Sequence, residues 1–282
     1  MIDTAAAVGC RLPVRLTETF AVIGGHAEWA LRPAKRRALA ANIARPVGRP
    51  PGSRAVRRVV RREMVNEARR SMDLLWAIGR PDEARRRFEL EGPDNVHGTL
   101  ARGHGMIMAG LHFGGWELAA VVAIYFLRVP TTVIAADDWL AWAMQHVRVT
   151  SGLTIAYRDG PGLQLAKELR QGGTLLVLGD HAVGAPPRRH EVELCGSTAA
   201  LPAGVVALSR VTGAPITPFV VRRLGPRHWR IVVDRAVEPP PRDGGEAGEL
   251  AVFQLVADAW TRRIRDEPDQ WAASFPIAWS DT

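Results

Sequence analysis

Two textures divide the chain. Between residues 13 and 100, apolar side chains recur at spacings of three and four among arginines, without strict alternation, which predicts helices. Residues 17–44 read as one helix or two, with Pro33 as the break. Residues 45–53 hold three prolines and two glycines and predict a turn before a long helix over 55–78. The apolar stripe of that helix runs Ala55, Val59, Val60, Met64, Ala68, Met72 and Leu75, with Arg57, Arg58, Arg61, Arg62, Arg69 and Arg70 around it. The arginines form either a solvated face or a docking surface for a membrane or an acyl carrier.

After His104, short apolar runs alternate with helical segments. Strands are expected at 105–111, 131–135, 153–157, 174–178, 216–221 and 230–233, and helices at 116–127, 138–149, 162–171, 203–212 and 248–265. Residues 239–245 read as a surface loop. Short strands alternating with helices imply an α/β fold with a mostly parallel central sheet flanked by helices. The expected organisation is one domain over 1–282, with a helical, basic portion at 1–104 and an α/β core at 105–282.

The chain has 282 residues, 47% apolar and 23% charged, which excludes disorder and coiled coil as descriptions of the whole. Its net charge of +8 is unevenly placed. Residues 1–104 hold 20 basic and 11 acidic side chains, a net of +9, and the remainder hold 17 and 18, a net of −1. Such an amino-terminal third suits an anionic membrane surface, an acidic carrier protein or a nucleic acid. No helix-turn-helix or aromatic platform is visible, so nucleic acid is not expected. Two cysteines, Cys10 and Cys195, are too few for a disulfide scaffold or a cysteine-ligated zinc site. No run approaches the roughly 18 apolar residues of a membrane-spanning helix. The first ten residues carry Asp3 and no basic cluster, so no secretory signal is expected.

The informative stretch is Leu111-His112-Phe113-Gly114-Gly115-Trp116-Glu117. It ends an apolar strand and opens a helix, which places His112 at the carboxyl end of a strand, where open α/β sheets put their sites. Gly114 and Gly115 permit a sharp turn and close approach of a substrate. Imidazole suits the base that an attacking hydroxyl needs near neutral pH, and an acidic partner could hold its tautomer.

The order of blocks resembles the bacterial lysophospholipid acyltransferases, in the branch of the lipid A lauroyl and myristoyl acyltransferases and the phosphatidylinositol mannoside acyltransferases. That family has a His, four residues, then an acid, here His112-Phe-Gly-Gly-Trp-Glu117 with Gly115 where Asn is usual. A second block follows as Thr174-Leu-Leu-Val-Leu-Gly-Asp180-His181, then Glu191-Val-Glu-Leu-Cys-Gly196, Leu201-Pro-Ala-Gly204 and Thr212-Gly-Ala-Pro-Ile-Thr-Pro218. Departures are Ala182 where a second acid is common and Ala272-Ala-Ser-Phe-Pro276 after Glu267-Pro-Asp-Gln-Trp271.

The resemblance implies a glycerolipid-acyltransferase-like fold, with the basic amino-terminal helices as its membrane-docking region. It implies a fatty acyl group moving from acyl-CoA or acyl carrier protein to a hydroxyl of a membrane glycolipid or phospholipid, without a cofactor, at the cytoplasmic face of a bacterial plasma membrane. His112 is then the general base. Its acidic partner is Glu117, or Glu191 or Glu193 in the second block; since strand side chains alternate, one of the latter two, Glu191, is expected to face the crevice. Arg158 is placed to contact an anionic donor or acceptor. Asp180 either serves the substrate site or caps a turn. The competing readings are a degenerate or non-enzymatic lipid-binding protein and a metal-dependent hydrolase built on His112, Asp180, His181 and His190.

Overall fold

The computed structural model describes residues 9–118, 127, 130–135, 154–157, 162–181 and 188–280. The amino-terminal region opens with helix α1 (Val14–Leu31) and α2 (Pro33–Val47). Pro33 sits in the first turn of α2, where its missing amide costs nothing, and Gly48 ends that helix in the left-handed conformation. The long helix α3 (Arg54–Gly79) starts at Ser53, whose hydroxyl accepts from the Val56 amide. Val56, Val60 and Met64 of α3 pack on Leu39 and Ile43 of α2. The expected stripe is therefore shifted: Ala55 is exposed, and Glu63, Arg70 and Asp73 are buried.

Beyond α4 (Pro81–Arg85) the chain enters a strand inside the portion read as wholly helical, β1 (Phe88–Glu91), and then α5 (Pro93–Leu100). The core adds β2 (Met106–Gly114), β3 (Thr131–Ala135), β4 (Thr154–Tyr157), α6 (Gly162–Arg170) and β5 (Thr174–Leu178). A hairpin, β6 (Arg189–Leu194) and β7 (Ser197–Pro202), precedes α7 (Gly204–Thr212), β8 (Ile216–Gly225), β9 (His228–Val233), α8 (Gly245–Asp266) and the short strand β10 (Ala278–Trp279). The helices expected at 116–127 and 138–149 lie largely or wholly outside the described residues.

The main sheet has seven strands in the order β1-β9-β8-β2-β5-β3-β4. Neighbours are parallel except β8 and β9, so β9 and β1 run against the other five. A separate antiparallel sheet has the order β10-β7-β6. β2 lies centrally and is apolar on both sides, as a strand covered on both faces must be. Its odd positions, Ile107, Ala109, Leu111 and Phe113, join a core with Phe253, Val256 and Trp260 of α8. Met106 and Met108 join a second core with Trp76 of α3 and Trp229 of β9.

Two asparagines tie the helical region to the carboxyl-terminal segment. Asn42 on α2 donates to the carbonyls of Ala273 (2.8 Å) and Phe275 (2.9 Å), and Asn66 on α3 donates to that of Asp269 (2.9 Å). Both are half-buried or buried, where such bonds define one seating for the segment.

Candidate active site

β2 outruns its neighbour β5. Their pairing ends at Gly110 opposite Leu178, and the chain after β5 turns through Gly179, whose amide donates to the Gly110 carbonyl at 2.9 Å. Gly179 is required there, because a Cβ would stand 2.4 Å from the Trp260 ring. On the other side, the pairing of β2 with β8 shifts register between Gly110 and Gly114. Such irregularities re-aim side chains, and this one contains His112. His112 and Asp180 thus meet at the carboxyl ends of two adjacent parallel strands.

The contact is close. His112 Nδ1 lies 2.8 Å from Asp180 Oδ1, and the His112 amide donates to the same carboxylate at 3.2 and 3.3 Å. Trp271 Nε1 donates to Asp180 Oδ2 at 2.9 Å. Asp180 is fully buried, whereas the His112 side chain keeps 20% of its surface. Burial opposes ionisation of Asp180, but the charge and hydrogen bonds of His112 and the Trp271 bond outweigh it and hold the carboxyl below its usual range.

Aromatic rings wall the imidazole. Trp116 meets it edge-on at 4.7 Å between centroids and Phe275 tilts against it at 5.0 Å. His181, next to Asp180, stacks on Phe275 at 4.3 Å and stands 6.2 Å from His112. Burial, helped by the neighbouring His112, lowers the pKa of His181, so its neutral form is favoured. The backbone positions this wall: the Ala272 amide donates to the His112 carbonyl at 2.8 Å, and Phe113 bridges to Trp271.

Glu117 follows five residues later, just after the chain leaves β2 and turns helical at Trp116. Its carboxyl is raised by burial, against which the charges of Arg70 and His112 act. Among the described residues no hydrogen bond joins it to the His112 ring, whose Nδ1 is engaged by Asp180. Arg70, read as part of the arginine face, is instead buried beneath the site and bonds Glu63 at 2.9 Å. Burial disfavours its charge, yet Glu63 and Glu117 more than restore it and raise its pKa.

Several expectations need correction. Gly114 and Gly115 are both in close contact with neighbouring protein. Gly114 has φ +56°, and a Cβ there would lie 1.9 Å from the Val221 carbonyl oxygen. At Gly115 a Cβ would lie 2.8 Å from Trp229 Cδ1, and its amide is already given to Val221 O at 3.0 Å. The space that a larger residue would need at position 115 is thus filled by the Trp229 indole. Glu191 and Glu193 are not brought to His112. Positions two apart on a strand share a face, and both point out from β6 into solvent, with Glu191 Oε1 accepting from Ser280 Oγ. Arg158 lies outside the described residues. The ligand set of a metal hydrolase is dispersed: His190 Nε2 lies 2.9 Å from Glu249, in a cluster with Arg188 and Arg210. Among the described residues no group of three or more His, Cys, Asp or Glu side chains is placed to hold a metal ion. The sequence reading passed over Trp271 and Phe275, although Trp271 stood in the quoted Glu267-Pro-Asp-Gln-Trp271 block.

A histidine braced by a buried carboxylate at the strand ends of an α/β sheet is an arrangement able to accept a proton from a reacting group. A family model described as bacterial lipid A biosynthesis acyltransferase matches residues 7–273, and the chain belongs to that family. Membership makes it an acyltransferase of lipid biosynthesis, working between an acyl donor and a lipid acceptor. A comparison with curated proteins finds no match.

Proposed function

We propose that the protein moves a fatty acyl group from the thioester of acyl-CoA or acyl carrier protein to a hydroxyl of a membrane glycolipid or phospholipid, with His112 as general base. The observation that carries this reading is the 2.8 Å contact between His112 Nδ1 and Asp180, which leaves Nε2 for the reacting hydroxyl. The acceptor oxygen attacks the thioester carbonyl while its proton passes to Nε2; the tetrahedral intermediate then expels the thiolate, which takes that proton from the imidazolium. The products are an ester and a free thiol, and the step balances without a cofactor. Asp180 is a positioning residue that fixes the tautomer and stabilises the imidazolium. Glu117 adds negative charge near the same ring, and Arg158 is proposed to meet the anionic part of donor or acceptor.

The reaction is assigned to the cytoplasmic face of a bacterial plasma membrane, with the protein bound peripherally. The basic amino-terminal third supports this.

The test is incubation of the purified protein with labelled acyl-CoA and acyl carrier protein of several chain lengths and with membrane lipids. Transfer that disappears in His112→Ala is the expected result. Transfer that survives in His112→Ala, or no transfer from any donor, removes this reading.

A further inference from the structure

Helix α1 is built inside out. The side it buries is narrow and small, with Thr17, Ala21 and Gly25 as its buried residues. Gly25 allows contact with α3 so close that a Cβ would lie 2.5 Å from Val65 Cα. The bulky apolar residues point the other way. Leu16 is 45% exposed, Phe20 52%, Ile23 60% and Leu31 79%. At about 100° per residue their spacing confines all four to an arc of roughly 80°, extending about 22 Å along the helix. Ala27, also exposed, lies in the same arc.

A helix that only braces a soluble core shows the reverse arrangement, with its large apolar residues inward. A contiguous apolar stripe of this kind marks a surface that something covers. The charge pattern identifies the occupant. The arc holds no Asp, Glu, Lys or Arg. The acids of α1 lie outside it and are paired, Glu18 with Arg69 and Arg223 and Glu28 with Lys35. Exposed arginines stand at both ends, Arg11 and Arg15 before the stripe and Arg32 and Arg37 after it. Apolar residues that enter the acyl boundary, framed by arginines that meet anionic headgroups, match a lipid surface.

We infer that α1 lies in the plane of an anionic bilayer with Leu16, Phe20, Ile23 and Leu31 inserted, and that this stripe, rather than the arginine face of α3, is the principal membrane contact. The inference rests on the proposed peripheral action on a lipid acceptor and names the surface that achieves it.

The experiment measures co-sedimentation of the full chain with vesicles of phosphatidylcholine alone and of phosphatidylcholine with phosphatidylglycerol. Phe20→Glu/Ile23→Glu is expected to lower partitioning on both by more than about tenfold, since both exchanges remove apolar side chains from the inserted stripe. Arg57→Glu/Arg58→Glu/Arg62→Glu is expected to weaken binding only to the anionic vesicles. Both side chains of the first variant are already exposed, so its circular dichroism stays that of the parent. In a Cys10→Ser background, Ile23→Cys carrying an environment-sensitive fluorophore is expected to shift to the blue when vesicles are added. Unchanged partitioning of the Phe20/Ile23 variant, or no blue shift, overturns the inference. So does loss of self-association or of carrier-protein binding in that variant with vesicle binding intact, since the stripe then faces a protein. Transfer to a detergent-dispersed acceptor reads the other proposal separately: it is expected to survive in the variant, and its absence from the parent, with insertion retained, removes the acyl-transfer reading alone.

Discussion

Asp180 holds His112 at two points, through the ring at 2.8 Å and through the backbone amide at 3.2 and 3.3 Å. One carboxylate therefore fixes both where the imidazole points and where the end of β2 lies. A group that only capped a turn would have no reason to engage the ring.

Replacing Asp180 by Asn substitutes an amide for the acceptor at Nδ1 and disfavours the tautomer that a base needs. A fall in kcat of about 10²- to 10⁴-fold is expected, measured with saturating donor and acceptor. Glu191→Gln and Glu193→Gln, both on the solvent face of β6, are expected to stay within about twofold of the parent, as surface substitutions do. Full activity in Asp180→Asn removes its positioning role.

The lowered carboxyl of Asp180 also sets a pH dependence of stability. A carboxylate held below its usual range stabilises the fold above the unfolded value, near pH 3.9, and loses that contribution as the pH falls through its lower native value. In urea unfolding, the stability gap between parent and Asp180→Asn is therefore expected to be widest near neutrality and to narrow in acid. If that gap is the same at neutral and acid pH, the lowered carboxyl of Asp180 is not its source.

Gly115 is expected to tolerate no side chain while Trp229 stands against it. Gly115→Asn should cost about 1–3 kcal/mol by overpacking, read as a lower Tm. Gly114→Ala is expected to cost more than Gly115→Ala, since it adds a positive φ and a 1.9 Å approach to a backbone oxygen. If Gly115→Asn instead leaves Tm unchanged, Trp229 is not the obstacle.

The buried pair beneath the site should respond asymmetrically. Arg70→Met strands Glu63 and is expected to cost about 3–5 kcal/mol near neutral pH. Glu63 is raised to about 7, chiefly by burial with Arg70 opposing, so its contribution is complete below its unfolded value near 4.5 and is lost as the pH rises through 7. Glu63→Gln should remove that decline, which denaturation at pH 5 and pH 8 would detect.

The sheet was legible where short runs of β-branched and aliphatic residues stand between turns: the strands at 131–135 and 174–178 match the structure to the residue. β1 was missed because Phe88-Glu-Leu-Glu91 is four residues long at the sheet edge, and its alternation is too short to stand out among charges. His112 could be placed from its position after an apolar strand. Its partner could not, since the 68-residue separation to Asp180 is closed only by the pairing of β2 with β5. Glu191 and Glu193 share parity on β6, so the sequence places them on one face, and only the fold turns that face to solvent. The period of α3 gave a helix but not which arginine would be buried, since Arg70 turns inward to meet Glu63 seven residues earlier.

Asn42 reaches across 231 and 233 residues of chain to the carbonyls of Ala273 and Phe275, and beside them lie Trp271 on Asp180 and Phe275 on His112. The base is encoded before the middle of the chain, but its enclosure comes from residues beyond 270 and is latched by a helix made among the first fifty. Whatever loosens the carboxyl-terminal segment from α2 therefore also opens the aromatic wall around His112, so an early helix and a late segment share one seating.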